Sequence, residues 1–474
     1  MNIKVRNFIK NFSYTFSSNL ISLIITGLVI LIVPRLIGVE AYGYWQLYLF
    51  YVTYVGFLHF GWNDGIYLRY GGENYEDLDK KLFFSQYYLM ILFQLLICAL
   101  IIFATFFFAD SEDRVFVIRM TAVCMLIVNV RAMLLYILQA TNRIKTYSQI
   151  MISDRIIYIF LITILILFGI KDYKLLIIAD LTGRFISLLF AMYSCKDIVI
   201  RKFNSFYFDF QEAIINISVG IKLMFSNIAS NLIIGFIKFG IERSWDVATF
   251  GKVSLTLSVS NLMMLFINAI GLVMYPILRR TNENRLPIIF TTMRDILMVP
   301  LFGALIIYYP LKVGLSLWLP AYAESLNYMA LMFPIVIFEG KMSLLINTYL
   351  KTLRREKLML MVNVFSLCLS ALLALITTIL IENLDLAVIS IVFLLTIRCI
   401  LAEILLSRIL VISVYKDIIL ESIMSVIFIS TAWFINSKII VVLYGVAYVV
   451  YLVLKRKEIS FSIVNIKEIM KRGD

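Results

Sequence analysis

Three polar residues in one apolar stretch have the types and spacing to hold a polar ligand. Wound as a helix at about 100° per residue, the segment Ile217–Gly240 puts Asn227, Asn231 and Lys238 within one narrow stripe, with Gly235 close beside it. The next apolar segment, Val247–Tyr275, carries Ser254, Ser258, Asn261 and Asn268 on one stripe. Two segments near the N-terminus are sparser, with Asn19 in Phe12–Val33 and Gln46 and Thr53 in Tyr42–Phe60. An amide both donates and accepts hydrogen bonds, whereas an ammonium only donates. Asn19, Gln46, Asn227, Asn231, Lys238 and Asn261 therefore form the candidate ligand-contact set, lining a wetted cleft. The competing use of such groups is interhelical hydrogen bonding, worth roughly 1 kcal/mol per contact.

Catalysis finds little to work with. The sequence has no GxxxxGK[ST] phosphate loop, no HExxH and no GxSxG. His59 is the only histidine, which removes His-based metal sites and triads. Asp77-Leu78-Asp79 has the spacing by which some sugar transferases hold a metal–nucleotide sugar, but three letters in an acidic loop fit a solvated loop better. Cys98, Cys124, Cys195, Cys368 and Cys399 form no CxxC, so neither a disulfide nor a zinc site is expected. No cofactor is expected.

Other charges lie deep in apolar segments. Asp180 and Arg184 are spaced as an i,i+4 ion pair. Arg131, Asp154-Arg155, Glu339, Lys341, Arg398 and Glu403 are explained by pairing within a bundle at least as well as by transport, though one carboxylate among them could carry a coupling proton or sodium ion. Lys222 and Lys252, near segment ends, can snorkel to an interface.

The elements that must position these groups are membrane-spanning helices. The chain has 474 residues, 62% hydrophobic and only 15% charged, where a soluble domain has roughly a quarter of its residues charged. Apolar runs of about 17–25 residues, the length that crosses a bilayer, recur throughout. They predict an all-α integral membrane protein with about fourteen transmembrane helices, or twelve or thirteen if the short last runs, Ile418–Ile435 and Ile439–Leu454, are discounted. Among the others, Ile296–Val313 and Leu326–Leu350 are read as the ninth and tenth spans. The first run is too long for a signal peptide and lacks a small-residue cleavage site, so it is read as a retained helix. With both termini cytoplasmic, inner loops and tails hold about 26 basic residues and outer loops about 7, in line with the positive-inside rule. The basic stretches Arg279–Arg285, Lys351–Lys357 and Lys455–Lys457 and the tail with Lys467, Lys471 and Arg472 then face inward, while Asp110–Arg114 and Glu382–Asp385 face outward. The net charge of +13 is a topology signal, and no nucleic-acid partner is expected.

An offset of 208 residues aligns the chain with itself. It pairs Ser18-Asn19 with Ser226-Asn227, Gly27 with Gly235, Arg35 with Arg243, Tyr42-Gly43 with Phe250-Gly251, Gln139 with Asn347 and Arg143 with Lys351. A shift of six helices makes the halves parallel. The expected domains are a six-helix lobe over residues 1–208, a second over 209–413, and an added helix pair with a basic tail over 414–474. Two parallel bundles make a cleft that can open to either side.

The text Gly38-Val39-Glu40-Ala41-Tyr42-Gly43, then Gly61-Trp62-Asn63-Asp64-Gly65-Ile66-Tyr67-Leu68-Arg69-Tyr70-Gly71-Gly72, with Gln139-Ala140-Thr141-Asn142-Arg143, resembles the bacterial polysaccharide-biosynthesis flippases. These oligosaccharide-lipid exporters share a superfamily with the multidrug-toxin extruders. The resemblance implies alternating-access transport of a polyprenyl-diphosphate-linked oligosaccharide across the bacterial cytoplasmic (inner) membrane, for surface polysaccharides of the O-antigen or capsule type. It implies a cationic cavity, the lipid bilayer and polysaccharide polymerase machinery as partners, and no enzymatic activity. A lysine with amide donors suits a diphosphate and sugar hydroxyls, although the first two helices offer no deep Arg or Lys. The alternatives are a multidrug or cation antiporter of the same fold and a membrane-embedded glycan polymerase or ligase; the latter is expected to need a long outer loop, and every outer loop here is short.

Overall fold

The computed structural model describes residues 3–108, 111–202, 204, 206–280, 285–435 and 439–471, and within its helices leaves aside the side chains of 3–12, 15–19, 23, 108, 263, 265–280 and 466–471. The side chains of Asn19, Asn268, Arg279, Arg280, Lys467 and Lys471, and Asp110 and Arg472 altogether, lie outside the described residues.

The chain forms two compact units, Met1–Ile228 and Ala229–Asp474. Unit 1 holds α1 (Ile3–Leu36), α2 (Val39–Val55), α3 (Trp62–Arg69), α4 (Lys80–Phe108), α5 (Glu112–Ala140), α6 (Ile144–Leu167), α7 (Tyr173–Ser194), the short α8 (Lys196–Val199) and the first part of α9 (Phe210–Ser244). Unit 2 holds the rest of α9, then α10 (Val247–Arg280), α11 (Leu286–Ala304), α12 (Tyr308–Trp318), α13 (Met329–Met332), α14 (Ile335–Lys341) and α15 (Asn347–Thr352). It closes with α16 (Glu356–Ala374), α17 (Leu384–Leu410), α18 (Tyr415–Phe434) and α19 (Ile439–Lys471). No strand occurs among the described residues. In a bilayer core every backbone N–H and C=O must be satisfied inside its own segment, which a helix achieves.

Eleven helical stretches among the described residues are long and apolar enough to cross a membrane. The helices α1, α2 and α10 stand at the three other positions where the sequence predicts spans. The repeat is visible in the helix limits. The offset of 208 carries α1 onto α9 to within one residue at each end, and the start of α2 onto the start of α10.

Each unit is built round one enclosed helical stretch. In unit 1 it is α5, flanked by α2, α3, α4 and α7. In unit 2 it is Ser325–Thr352, the most deeply buried of the eleven candidate spans. Read from sequence as one helix, it is broken: Pro334 caps α14, and a π-helical turn at Met342–Ile346 follows Lys341 directly. Proline supplies no N–H to the preceding turn, and π-turns of this kind recur at functional sites. The ninth span also differs from expectation. It begins at Leu286 rather than near Ile296, so Arg294 and Asp295 lie inside α11, buried.

Where the chain leaves α2, Phe60 and Gly61 adopt left-handed backbone, with Gly61 at φ 82°. The turn delivers α3 onto the start of α9. A methyl placed on Gly65 would fall on the Asn216 carbonyl, and one on Gly220 would fall on the Gly61 carbonyl, so the two backbones meet without room for a Cβ. Arg69 then bonds Glu212 and Asn216, each at 2.6 Å, and the Tyr70 hydroxyl donates to Glu212 at 3.0 Å. Burial pushes the Asp64 carboxyl up to about 6, its own backbone hydrogen bond opposing this. Gly220→Ala should cost about 1–3 kcal/mol of stability, the usual penalty of overpacking. Gly445→Ala on α19, where a Cβ meets nothing, should be neutral or stabilising. Thermal unfolding in detergent compares them; equal melting temperatures would refute this account of the α3–α9 contact.

Candidate functional site

The polar stripe read from the sequence lies on α9. Asn227 and Asn231 are exposed, one turn apart on one continuous helix, and Lys238 is half-buried with its ammonium 5.1 Å from the centre of the Phe250 ring. That placement favours a cation held against an aromatic face. Asn261 is half-buried on α10. Gln46 has turned inward: it is buried on α2 and donates to the Tyr42 hydroxyl at 2.6 Å. An amide facing hydrocarbon without a partner costs about 4–8 kcal/mol on the cyclohexane scale. The exposed amides of α9 therefore call for water, substrate or another polar surface.

Many of the charged side chains within the spans are paired. In unit 1 Asp180 accepts from Arg184 and from the Tyr48 hydroxyl, each at 2.7 Å. Arg131 donates to Asp154 at 2.8 Å and to Ser187 at 2.9 Å. In unit 2 Arg398 meets Glu339 at 2.9 Å, Asn363 at 3.1 Å and Ser230 at 3.0 Å. A further group links five helices of unit 2. Lys341 on α14 lies 2.5 Å from Glu403 on α17 and 2.6 Å from Glu421 on α18. Arg294 and Lys455 both bind Asp417, and Lys455 also meets Asp295 at 2.8 Å. Sequence reasoning missed Arg294, Asp295, Asp417, Glu421 and Lys455 as members of this group. The signal it could have used was the presence of opposite charges at the ends of four separate apolar runs.

The motifs weighed for catalysis have structural work. Asp79 accepts from the backbone of Lys81 and Leu82 at the start of α4, and Asp77 accepts from Asn74, so Asp77-Leu78-Asp79 serves as a helix cap and turn. His59 accepts from the Gly61 backbone at 3.1 Å and stabilises the turn into α3. Among the described residues no group of three or more His, Cys, Asp or Glu is arranged to hold a metal ion.

Residues 8–282 match the family described as polysaccharide biosynthesis protein. The chain belongs to that family. No curated protein sequence matches it at a significant level. Among solved structures it is similar to the lipid II flippase MurJ in an inward closed conformation, with a TM-score of 0.61 and 15% identity over 95% of this chain and 99% of that one. It is also similar to an inward-facing multidrug resistance transporter of the MATE family, at 0.59 and 11% identity over 88% and 100%. A third is a MOP-superfamily transporter from Pyrococcus furiosus, at 0.53 and 14% identity over 85% and 95%. At such identities the likeness shows the fold. The polysaccharide-biosynthesis chain thus has the helical architecture of MOP-superfamily transporters, and its spans are held by buried ion pairs.

Those pairs make a definite prediction. Arg131→Leu leaves Asp154 buried without its cation and should cost about 3–5 kcal/mol, whereas Arg131→Leu with Asp154→Leu should recover most of that loss. Melting temperature and monodisperse yield in detergent measure both. A double variant no better than the single one would show that Arg131 acts through something other than Asp154.

Proposed function

We propose that this protein is a flippase that moves a polyprenyl-diphosphate-linked oligosaccharide from the cytoplasmic to the outer leaflet by alternating access, feeding a surface polysaccharide of the O-antigen or capsule type. Membership of a polysaccharide-biosynthesis family and a fold shared with a lipid II flippase support transport of a lipid-linked substrate. The observation that carries the site is the exposed pair Asn227 and Asn231 on α9, with Lys238 on the same stripe. Amides match sugar hydroxyls, and a cation matches a diphosphate. Asn19 and Asn261 belong to the same proposed set, and Gln46 joins it by exchanging its hydrogen bond to Tyr42 for one to substrate. The protein sits in the bacterial inner membrane with both termini cytoplasmic, exchanges substrate with polymerase machinery on the outer side, and uses a coupling ion.

Moving two negative charges outward through about 100 mV, inside negative, releases roughly 4–5 kcal/mol at about 2.3 per charge. Nucleotide hydrolysis is then unnecessary. A multidrug or cation antiporter is the second reading, favoured by the likeness to a MATE-family transporter. The two differ in what a deletion strain accumulates. A flippase deletion should leave complete lipid-linked units on the cytoplasmic leaflet, while an antiporter deletion should leave glycan display normal and raise drug sensitivity. Within the flippase, Lys238→Gln removes the charge and keeps hydrogen bonding. A diphosphate contact worth about 1.5–3 kcal/mol should lose roughly ten- to a hundredfold in affinity, read as reduced surface glycan at matched membrane expression. Normal display by Lys238→Gln and by Asn227→Ala/Asn231→Ala would remove these residues from the site without touching the flippase assignment.

A further inference from the structure

Among the described residues, the charged group in unit 2 does not balance. Three cations (Arg294, Lys341, Lys455) meet four carboxylates (Asp295, Glu403, Asp417, Glu421), and all seven side chains are buried. Asp417 has two cations, Arg294 and Lys455. Asp295 has Lys455 and a hydrogen bond from Ser462 at 3.1 Å. Glu403 and Glu421, by contrast, share the single ammonium of Lys341. Arg294 makes only a loose ion pair with Glu403 at 3.7 Å, beyond hydrogen-bond reach, and Glu403 Oε1 is left buried without a hydrogen-bond partner, as are Nε and one terminal nitrogen of Arg294. The surplus negative charge therefore falls on the Glu403–Glu421 pair. Their oxygens on Lys341 lie within about 5 Å of each other, where like charges resist joint ionisation.

An uncompensated charge in this interior costs several kcal/mol, and neutralisation is the cheaper outcome. A metal cation has no place here, since the Lys341 ammonium already occupies the position between the two carboxylates. A proton has. We propose that unit 2 binds one proton on the Glu403–Glu421 pair, taken from the cytoplasmic face; hydronium gives up its proton to one carboxylate, water leaves, and the group goes from net −1 to neutral. The cytoplasmic assignment, and the use of this proton as the coupling ion, rest on the topology and function proposed above. The route follows from the geometry. At one margin the group reaches exposed residues, with Lys416 meeting Glu458 at 2.6 Å and Glu458 lying 3.5 Å from Lys455. From there Asp417, held by Arg294, leads inward to Glu403 and Lys341; the carboxylates carry the proton, and the guanidinium stays charged throughout. The pair titrates as a unit. The groups facing it are Arg294 and Asp295 from α11, Lys341 from α14, Asp417 from α18 and Lys455 from α19, with the neutral side chains of Cys399 and Tyr451 alongside. On α17 the neighbouring charge, Arg398, is taken up by Glu339.

The test is infrared spectroscopy of the full chain in proteoliposomes, titrated from about pH 5 to about pH 9, above the ordinary glutamate value of about 4.3. Measured in an Asp64→Asn background, since Asp64 titrates at about 6 in the same window, the expected signal is the carbonyl stretch of one protonated carboxyl per chain, shifted in D2O and lost in both Glu403→Gln and Glu421→Gln. Either variant suffices if the other fails to fold, and the native protein alone is decisive if no such band exists at any pH in the range. Absence of the band, or its survival in the folded variants, overturns the proposal. Sidedness is read by changing pH in one compartment: the band should follow the compartment facing the C-terminal tail, and a response to the other side overturns the route. The readout needs no glycan substrate, so it stands or falls apart from the flippase assay.

Discussion

The rest of the structure depends on the neutralisation of charge inside apolar helical units. A lone ionised group there costs several kcal/mol, and breaking a buried pair leaves that cost behind. In unit 1 two arginines answer two aspartates, and Tyr48 and Ser187 take up further hydrogen-bonding capacity. These contacts join α2, α5, α6 and α7 in a single register. Sliding any of the four helices by one residue would turn its side chains by about 100° and separate the charges. Apolar packing alone sets no such register, because lipid tails are as apolar as the leucines that face them.

The same constraint explains which parts of the structure the sequence discloses. The spans were legible because about twenty apolar residues are the only way to cross a bilayer as a helix, and the repeat was legible because Asn, Gly and Arg stand out against apolar text. Asp180 and Arg184 were legible as a local pair because both partners sit on one helix face. The group around Lys341 was only half legible. Its members lie on α11, α14, α17, α18 and α19, up to 160 residues apart in hydrogen-bonded pairs such as Lys455 with Asp295. Hydropathy trims charged residues from span ends, so Arg294 and Asp295 read as loop and Lys455 as a topology signal. Once mutually neutralised, they continue the helices inward.

Gln46 shows the opposite limit. Its place on a helix with few polar residues made it a candidate for substrate contact, yet the nearby Tyr42 hydroxyl gives it an internal partner one turn away. The family text Gly61-Trp62-Asn63-Asp64-Gly65 was legible as a motif but silent about its work. That work is steric: left-handed backbone at Gly61 aims α3, and the absence of side chains at Gly65 and Gly220 lets two backbones touch. Sequence marks such glycines without revealing which surface they admit.

Polarity is thus divided in two ways within this protein. The paired charges are turned inward and answered by one another, whereas the exposed polar groups of the α9 stripe are neutral amides. If the α9 stripe meets cargo, as proposed, this division has a consequence. Groups that hold the scaffold should bind strongly and not let go, which buried ion pairs do. Groups that meet cargo must bind strongly enough to select it and weakly enough to release it. Neutral amides meet that condition, since a hydrogen bond exchanged with water is worth only about 0.5–1.5 kcal/mol. Lys238, the charged member of the stripe, is half-buried against the Phe250 ring. In the proposed flippase, a diphosphate reaching it would compete with that aromatic face, which tempers the attraction and keeps release within reach.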